Sequence, residues 1–185
     1  NQYRQELATK QNINLKPVIL FKAKQTIKES EKNKQNFHKL IESLDENSIN
    51  SIRETSTVTI VQKAFSFFDS NHLSSNELAK RLKSNFRPEN CLSANDDKEA
   101  EANQIKLNTL EDANNPIRAI FAVQKLNEGW DVLNLFDIVR LYEGQNSGGS
   151  NKTLAHVKNM GRSLKFEKKN KWIFQYFLPF YLKDY

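Results

Sequence analysis

Two short apolar runs, Ala119 to Val123 and Phe136 to Tyr142, flank a polar turn, Asn127-Glu128-Gly129-Trp130-Asp131, and this arrangement limits the folds open to the chain. The first run is too short for a free-standing helix and lacks the alternation of a half-exposed strand, so it reads as a strand covered on both faces. Gly129 permits a backbone conformation, or a close approach, that a Cβ would block. Strand, glycine-bearing turn and strand predict a parallel sheet, whose turns at the carboxyl ends of strands are where ligands bind. An ordinary buried hairpin or crossover is the plainer alternative.

The rest of the chain supplies elements that suit such a sheet. Residues 1–16 are polar and read as a linker or N-terminal extension, and Pro17-Val18-Ile19-Leu20-Phe21 as a compact strand with proline at its first position. From Ile27 onward, Phe37, Leu40, Ile41 and Leu44 recur at helical spacing. Asp45 to Thr57 reads as a polar connector. Residues 57–87 then read as a helical pair, with Ile60, Val61, Ala64, Phe65 and Phe68 on one face and a capping box at Ser74 and Glu77. Pro88 stops the second helix. Residues 45–90 thus form a helical insertion in a domain spanning 17–185. Cys91-Leu92-Ser93 is a candidate short strand, followed by a helix from Asp96 whose expected inner face includes Ala102, Ile105 and Leu110. After Glu143 comes a Gly- and Ser-containing loop, then a helix bearing Leu154, Val157, Gly161 and Leu164, and an aromatic final strand within Trp172–Leu182. Alternating strands and helices favour a parallel sheet with right-handed crossovers.

Composition narrows the function classes. At 185 residues the chain is the size of one domain, and it begins at Asn1 without signal peptide or long apolar span, as expected of a piece of a longer cytoplasmic protein. Its single cysteine, Cys91, has no internal disulfide partner, and His38, His72 and His156 lack metal-ligand spacing. A net charge of +6 permits a polyanionic partner without demanding one.

The residues Ile-Phe-Ala-Val-Gln-x-Leu-Asn-Glu-Gly-Trp-Asp-Val from Ile120, with Phe-Asp-Ile-Val-Arg-Leu-Tyr-Glu from Phe136, resemble motif V of superfamily 2 helicases in the form carried by the Res subunit of type III restriction enzymes. The strand from Pro17 and the turn after it look like motif IV of the same family. The resemblance covers roughly Pro17 to Lys165, with Asp45 to Phe86 departing from the minimal fold. It implies a RecA-like parallel sheet flanked by helices, with a helical insertion. Glu128, Gly129, Asp131 and Gly161 would border ATP. Lys22, Lys24 and Lys125 are the basic residues placed nearest a DNA phosphate track.

Gly161-Arg162-Ser163-Leu164-Lys165 stands where the resemblance puts motif VI, Gln-x-x-Gly-Arg-x-x-Arg, which makes Arg162 the candidate arginine finger. Lys158 and Lys165 replace the motif's glutamine and second arginine, and lysine lacks the planar fork that holds phosphate in two places. No Gly-x-x-x-x-Gly-Lys-[Ser/Thr] loop or acidic magnesium box occurs, so the chain looks like the second RecA-like domain, with ATP and Mg2+ held mainly by a first domain of the same protein. The resemblance further implies DNA and a modification methyltransferase as partners, and inactivity of this fragment alone. Glu167-x-Lys169 has nuclease-like spacing without the upstream acidic partners, so no nuclease site is expected here. The altered motif VI supports the alternative of a catalytically degenerate DNA-binding or interaction module.

Overall fold

The computed structural model describes residues 1–95, 100–123 and 132–141, with backbone alone at 100–102. Four strands, β1 (Val18–Lys22), β2 (Cys91–Ser93), β3 (Ala119–Ala122) and β4 (Leu135–Arg140), form a sheet of order β2-β3-β1-β4 in which every pairing is parallel. Helices flank it, so the expected α/β architecture is present and consistent with a RecA-like fold. β3 and β4 run parallel with β1 between them, which makes their connection a crossover and excludes the hairpin.

The central strands lack polar alternation because both faces are covered. One face joins Val18, Leu20, Ile120 and Ala122 to Leu92, Leu110, Ile117, Val132 and Leu135. The other joins Ile19, Phe21, Ala119 and Phe121 to Cys91, Val139 and Phe86, and to Phe37 and Ile41 of helix α2 (Ile27–Ser43). Phe21 stacks on Phe121 with centroids 4.7 Å apart and planes 6° from parallel. Phe37 tilts onto Phe121 at 5.5 Å, so one aromatic group fastens α2 to two strands.

Helices α3 (Glu46–Thr55), α4 (Thr59–Ser70) and α5 (Ser75–Asn85) build a core of their own from Ile49, Val61, Phe65, Phe68, Leu73, Leu78 and Ala79. The Ser74 hydroxyl accepts a hydrogen bond from the Glu77 backbone N–H at 3.1 Å, as the capping pattern predicts. Residues 46–55 correct the expected connector: they are helical. Asp45 caps them by accepting from the Ser48 N–H at 2.7 Å, and Ile49 is buried. Polar ties surround it, Ser75 to Asn50 at 2.6 Å and Arg53 to Asp69 at 3.0 Å, and they mask the helical spacing of Ile49 and Ile52 that the connector reading passed over.

The first sixteen residues, expected as a linker or extension, contain helix α1 (Gln2–Lys10). Polar contacts dock it across the sheet and the insertion. Arg4 pairs with Asp137 at 2.9 Å and lies over the Phe136 ring at 5.0 Å. Glu6 accepts from Arg81 at 2.7 Å, and Tyr3 meets Phe67 edge-on at 5.3 Å. The buried Arg118 guanidinium donates to the Pro17 carbonyl, Gln5 and Asn1 and lies over Phe86. Burial brings its pKa down to about 10.

Helix α6 (Ala100–Asn108) is present, but Ile105 does not face inward: it is 62% exposed. Leu107, with Leu110 beyond the helix, packs on the sheet instead. The Asn103 side chain donates to the Ser93 carbonyl at 3.4 Å, so a polar contact, silent in hydropathy, helps to set the rotation.

Candidate functional site

In a parallel sheet the carboxyl ends of all strands lie at one edge, and here that edge is formed by Lys22, Ser93, Ala122 and Arg140. The Ala23 N–H donates to the Ala122 carbonyl at 2.9 Å, and the Leu141 N–H to the Lys22 carbonyl at 3.0 Å, so the ladder holds to its last rung. Helix α2 starts at this edge, its first turn closed by Thr26, whose hydroxyl accepts from the Glu29 N–H at 3.1 Å.

Lys22 and Arg140 are register partners on adjacent strands. Parallel partners project to the same face, and two residues earlier Leu20 and its partner Ile138 both meet the first core cluster, so the two cations share that face. Lys22 is buried and Arg140 half-buried. Desolvation, with the Arg140 charge beside it, lowers the Lys22 pKa from the usual lysine value. Lys24 lies in the bend after the strand and is exposed. Of the other expected site residues, Lys125, Glu128, Gly129, Asp131, Gly161 and Arg162 lie outside the described residues, so Lys22 and Lys24 alone of that set are placed.

Beside them stand residues that the sequence reading missed. Asn95 accepts from the Val123 N–H at 3.1 Å and donates to Glu31 at 2.9 Å, tying the end of β3 to α2 at the threshold of the Asn127–Asp131 turn. Lys34 donates to the Ser93 hydroxyl at 3.0 Å from the α2 side. An asparagine after a short strand carries no distinguishing sequence signal; only the parallel pairing of β2 with β3 shows what it reaches. Arg140 was legible as part of the second apolar run, but its neighbour was not. Among the described residues no three His, Cys, Asp or Glu side chains gather into a metal-binding group. No described helix is long and apolar enough to cross a membrane.

No protein-family model matches the chain, and no solved structure matches it. A curated protein does: the probable type III restriction-modification enzyme HindVIP Res subunit of Haemophilus influenzae (strain ATCC 51907 / DSM 11121 / KW20 / Rd), 40% identical over 178 residues. The match takes in 81% of this chain but 33% of that protein, so the chain spans about a third of its relative's length. With the parallel α/β sheet, this establishes the likeness expected from the motif V residues: the chain is a Res-like relative of one part of a type III restriction-modification subunit.

Proposed function

We propose that the chain is the second RecA-like domain of an ATP-dependent, DNA-translocating restriction subunit, forming one wall of an ATP cleft and part of a DNA track. The observation that carries this reading is the motif V sequence, which begins within β3 and continues past a carboxyl edge bearing Lys22 and Lys24. The Res likeness supports it, as does the sheet, since ligands of such folds sit beyond the carboxyl ends of strands.

In this reading Glu128, Gly129, Asp131 and Gly161 border the nucleotide, and Arg162 neutralises charge developing on the transferred phosphoryl group. ATP, when bound, supplies the phosphoanhydride whose hydrolysis drives movement. Magnesium would be held by acidic residues of a first RecA-like domain of the same protein. The cationic edge described here fits an anionic ligand. Lys22, Lys24 and Lys125 face DNA phosphates, and a modification methyltransferase is the expected partner subunit, all in the cytoplasm. A second reading, a degenerate module that binds without catalysis, is favoured by Lys165 where motif VI has arginine.

The test is made in the longer protein that contains this chain. Asp131→Ala and Arg162→Ala should each reduce DNA-stimulated ATPase at least about a hundredfold, as losses of positioned polar groups in catalytic sites do, with the melting temperature held. A lowered melting temperature with normal turnover per folded molecule would assign Asp131 to the turn and defeat the catalytic reading.

A further inference from the structure

From the register pairing we infer that Lys22 and Arg140 together form a seat for one phosphate group at the carboxyl edge of the sheet. The inference rests on the proposed function and deepens it by adding Arg140, a residue of the second motif V run to which that reading gives no role, and by giving Lys22 a specific ligand. Paired positions on adjacent strands bring side chains to roughly 5 Å at Cβ. Like charges so placed repel, and the repulsion grows as water is removed. Lys22 is buried nonetheless, and no ion pair to either cation occurs among the described residues.

An anion between the two would relieve both costs. A phosphate oxygen suits the pair, because arginine offers a planar fork and lysine a point charge beside it. Arg140, the more open of the two, marks the side from which the ligand arrives. The partly desolvated lysine strengthens the contact, since the same charge counts for more where water is excluded. The site lies beside the Ala122 end of β3, so the phosphate belongs either to the DNA backbone or to the nucleotide, and the chemistry of the seat serves both.

The experiment uses the longer protein that contains this chain, a short mixed-sequence DNA duplex and, separately, ATP, with affinity measured across a salt series. Lys22→Met and Arg140→Met are compared with Lys63→Met, an exposed lysine of the insertion whose loss lowers the net charge equally. If the phosphate is DNA's, each edge variant weakens duplex binding about tenfold and flattens the log-log salt slope by about 0.9, while Lys63→Met does neither. If it is the nucleotide's, ATP affinity falls and duplex affinity holds. Unchanged affinity for both ligands overturns the seat and leaves the proposed function standing. Reduced melting temperature of Lys22→Met or Arg140→Met with unaltered binding also overturns it, because the cation then serves an internal carboxylate. A longer wild-type protein that binds neither ligand defeats the proposed function itself, whereas edge variants that bind like wild type defeat the seat alone.

Discussion

Asn95 holds the backbone of Val123: its side-chain oxygen accepts from the Val123 N–H at 3.1 Å while its amide donates to Glu31. The last described residue of the β3 segment is therefore fixed from two elements, the loop after β2 and helix α2. Asn95→Ala should cost about 1 kcal/mol, the usual net value of such a bond. It should also raise the hydrogen-exchange rate of the Val123 amide relative to Phe121. Unchanged exchange at Val123 would show that the bond does not restrain that segment.

The stacked pair of Phe21 and Phe121 anchors the aromatic side of the core, and Phe37 closes on it. Phe121→Ala should destabilise the fold by about 3–5 kcal/mol through lost burial and the cavity left behind. Phe121→Leu should cost less, because much of the volume is retained. Urea unfolding of the three proteins, compared at a common m-value, checks the order.

Cys91 lies in the same cluster, its thiol directed at the Phe86 carbonyl, and burial pushes its pKa up to about 12 from the ordinary 9.0. The thiol should resist alkylation at pH 8 in the folded chain and react promptly in denaturant. The unfolded chain loses this proton near pH 9 while the folded chain keeps it to about 12. Its contribution to stability is thus fully present below about pH 9 and declines as pH rises through that interval. Rapid alkylation without denaturant would contradict the buried placement.

Arg4 and Asp137 bind α1 to β4 at 2.9 Å. Arg4→Met retains much of the stem over Phe136 but leaves the carboxylate short of a partner, so it should cost about 1–3 kcal/mol. Limited proteolysis should then cut first near residues 11–16, which follow α1. Cleavage confined elsewhere would mean that α1 stays docked without this pair.

Strands β1 and β3 were legible because burial on both faces leaves unbroken apolar runs, and α2, α4 and α5 because each turns one apolar stripe inward. Helix α1 was not, since Arg4 and Gln5 hold it by polar contacts that hydropathy does not weigh, and α3 was passed over although Ile49 and Ile52 stand at helical spacing, because polar residues surround them. Ile105 misled because a helix this short, with little apolar contrast, is rotated by what its polar side chains can reach. At the site, the motif identified which turn to watch, and the register alone revealed that Lys22 stands beside Arg140.

The parallel pairing of Ile19 with Ala119 joins positions one hundred residues apart, with the helical insertion lying between them. On a ribosome adding about 5–20 residues each second, β1 emerges roughly 5–20 s before the strand it must pair with. Helices α3 to α5, whose contacts are local, can assemble in that interval, while the apolar Val18–Phe21 segment has no sheet to join. The insertion also brings the ends of that long loop closer, reducing the chain entropy lost when β3 arrives. What looks in the finished molecule like an addition to the sheet is, during synthesis, the part that is finished first.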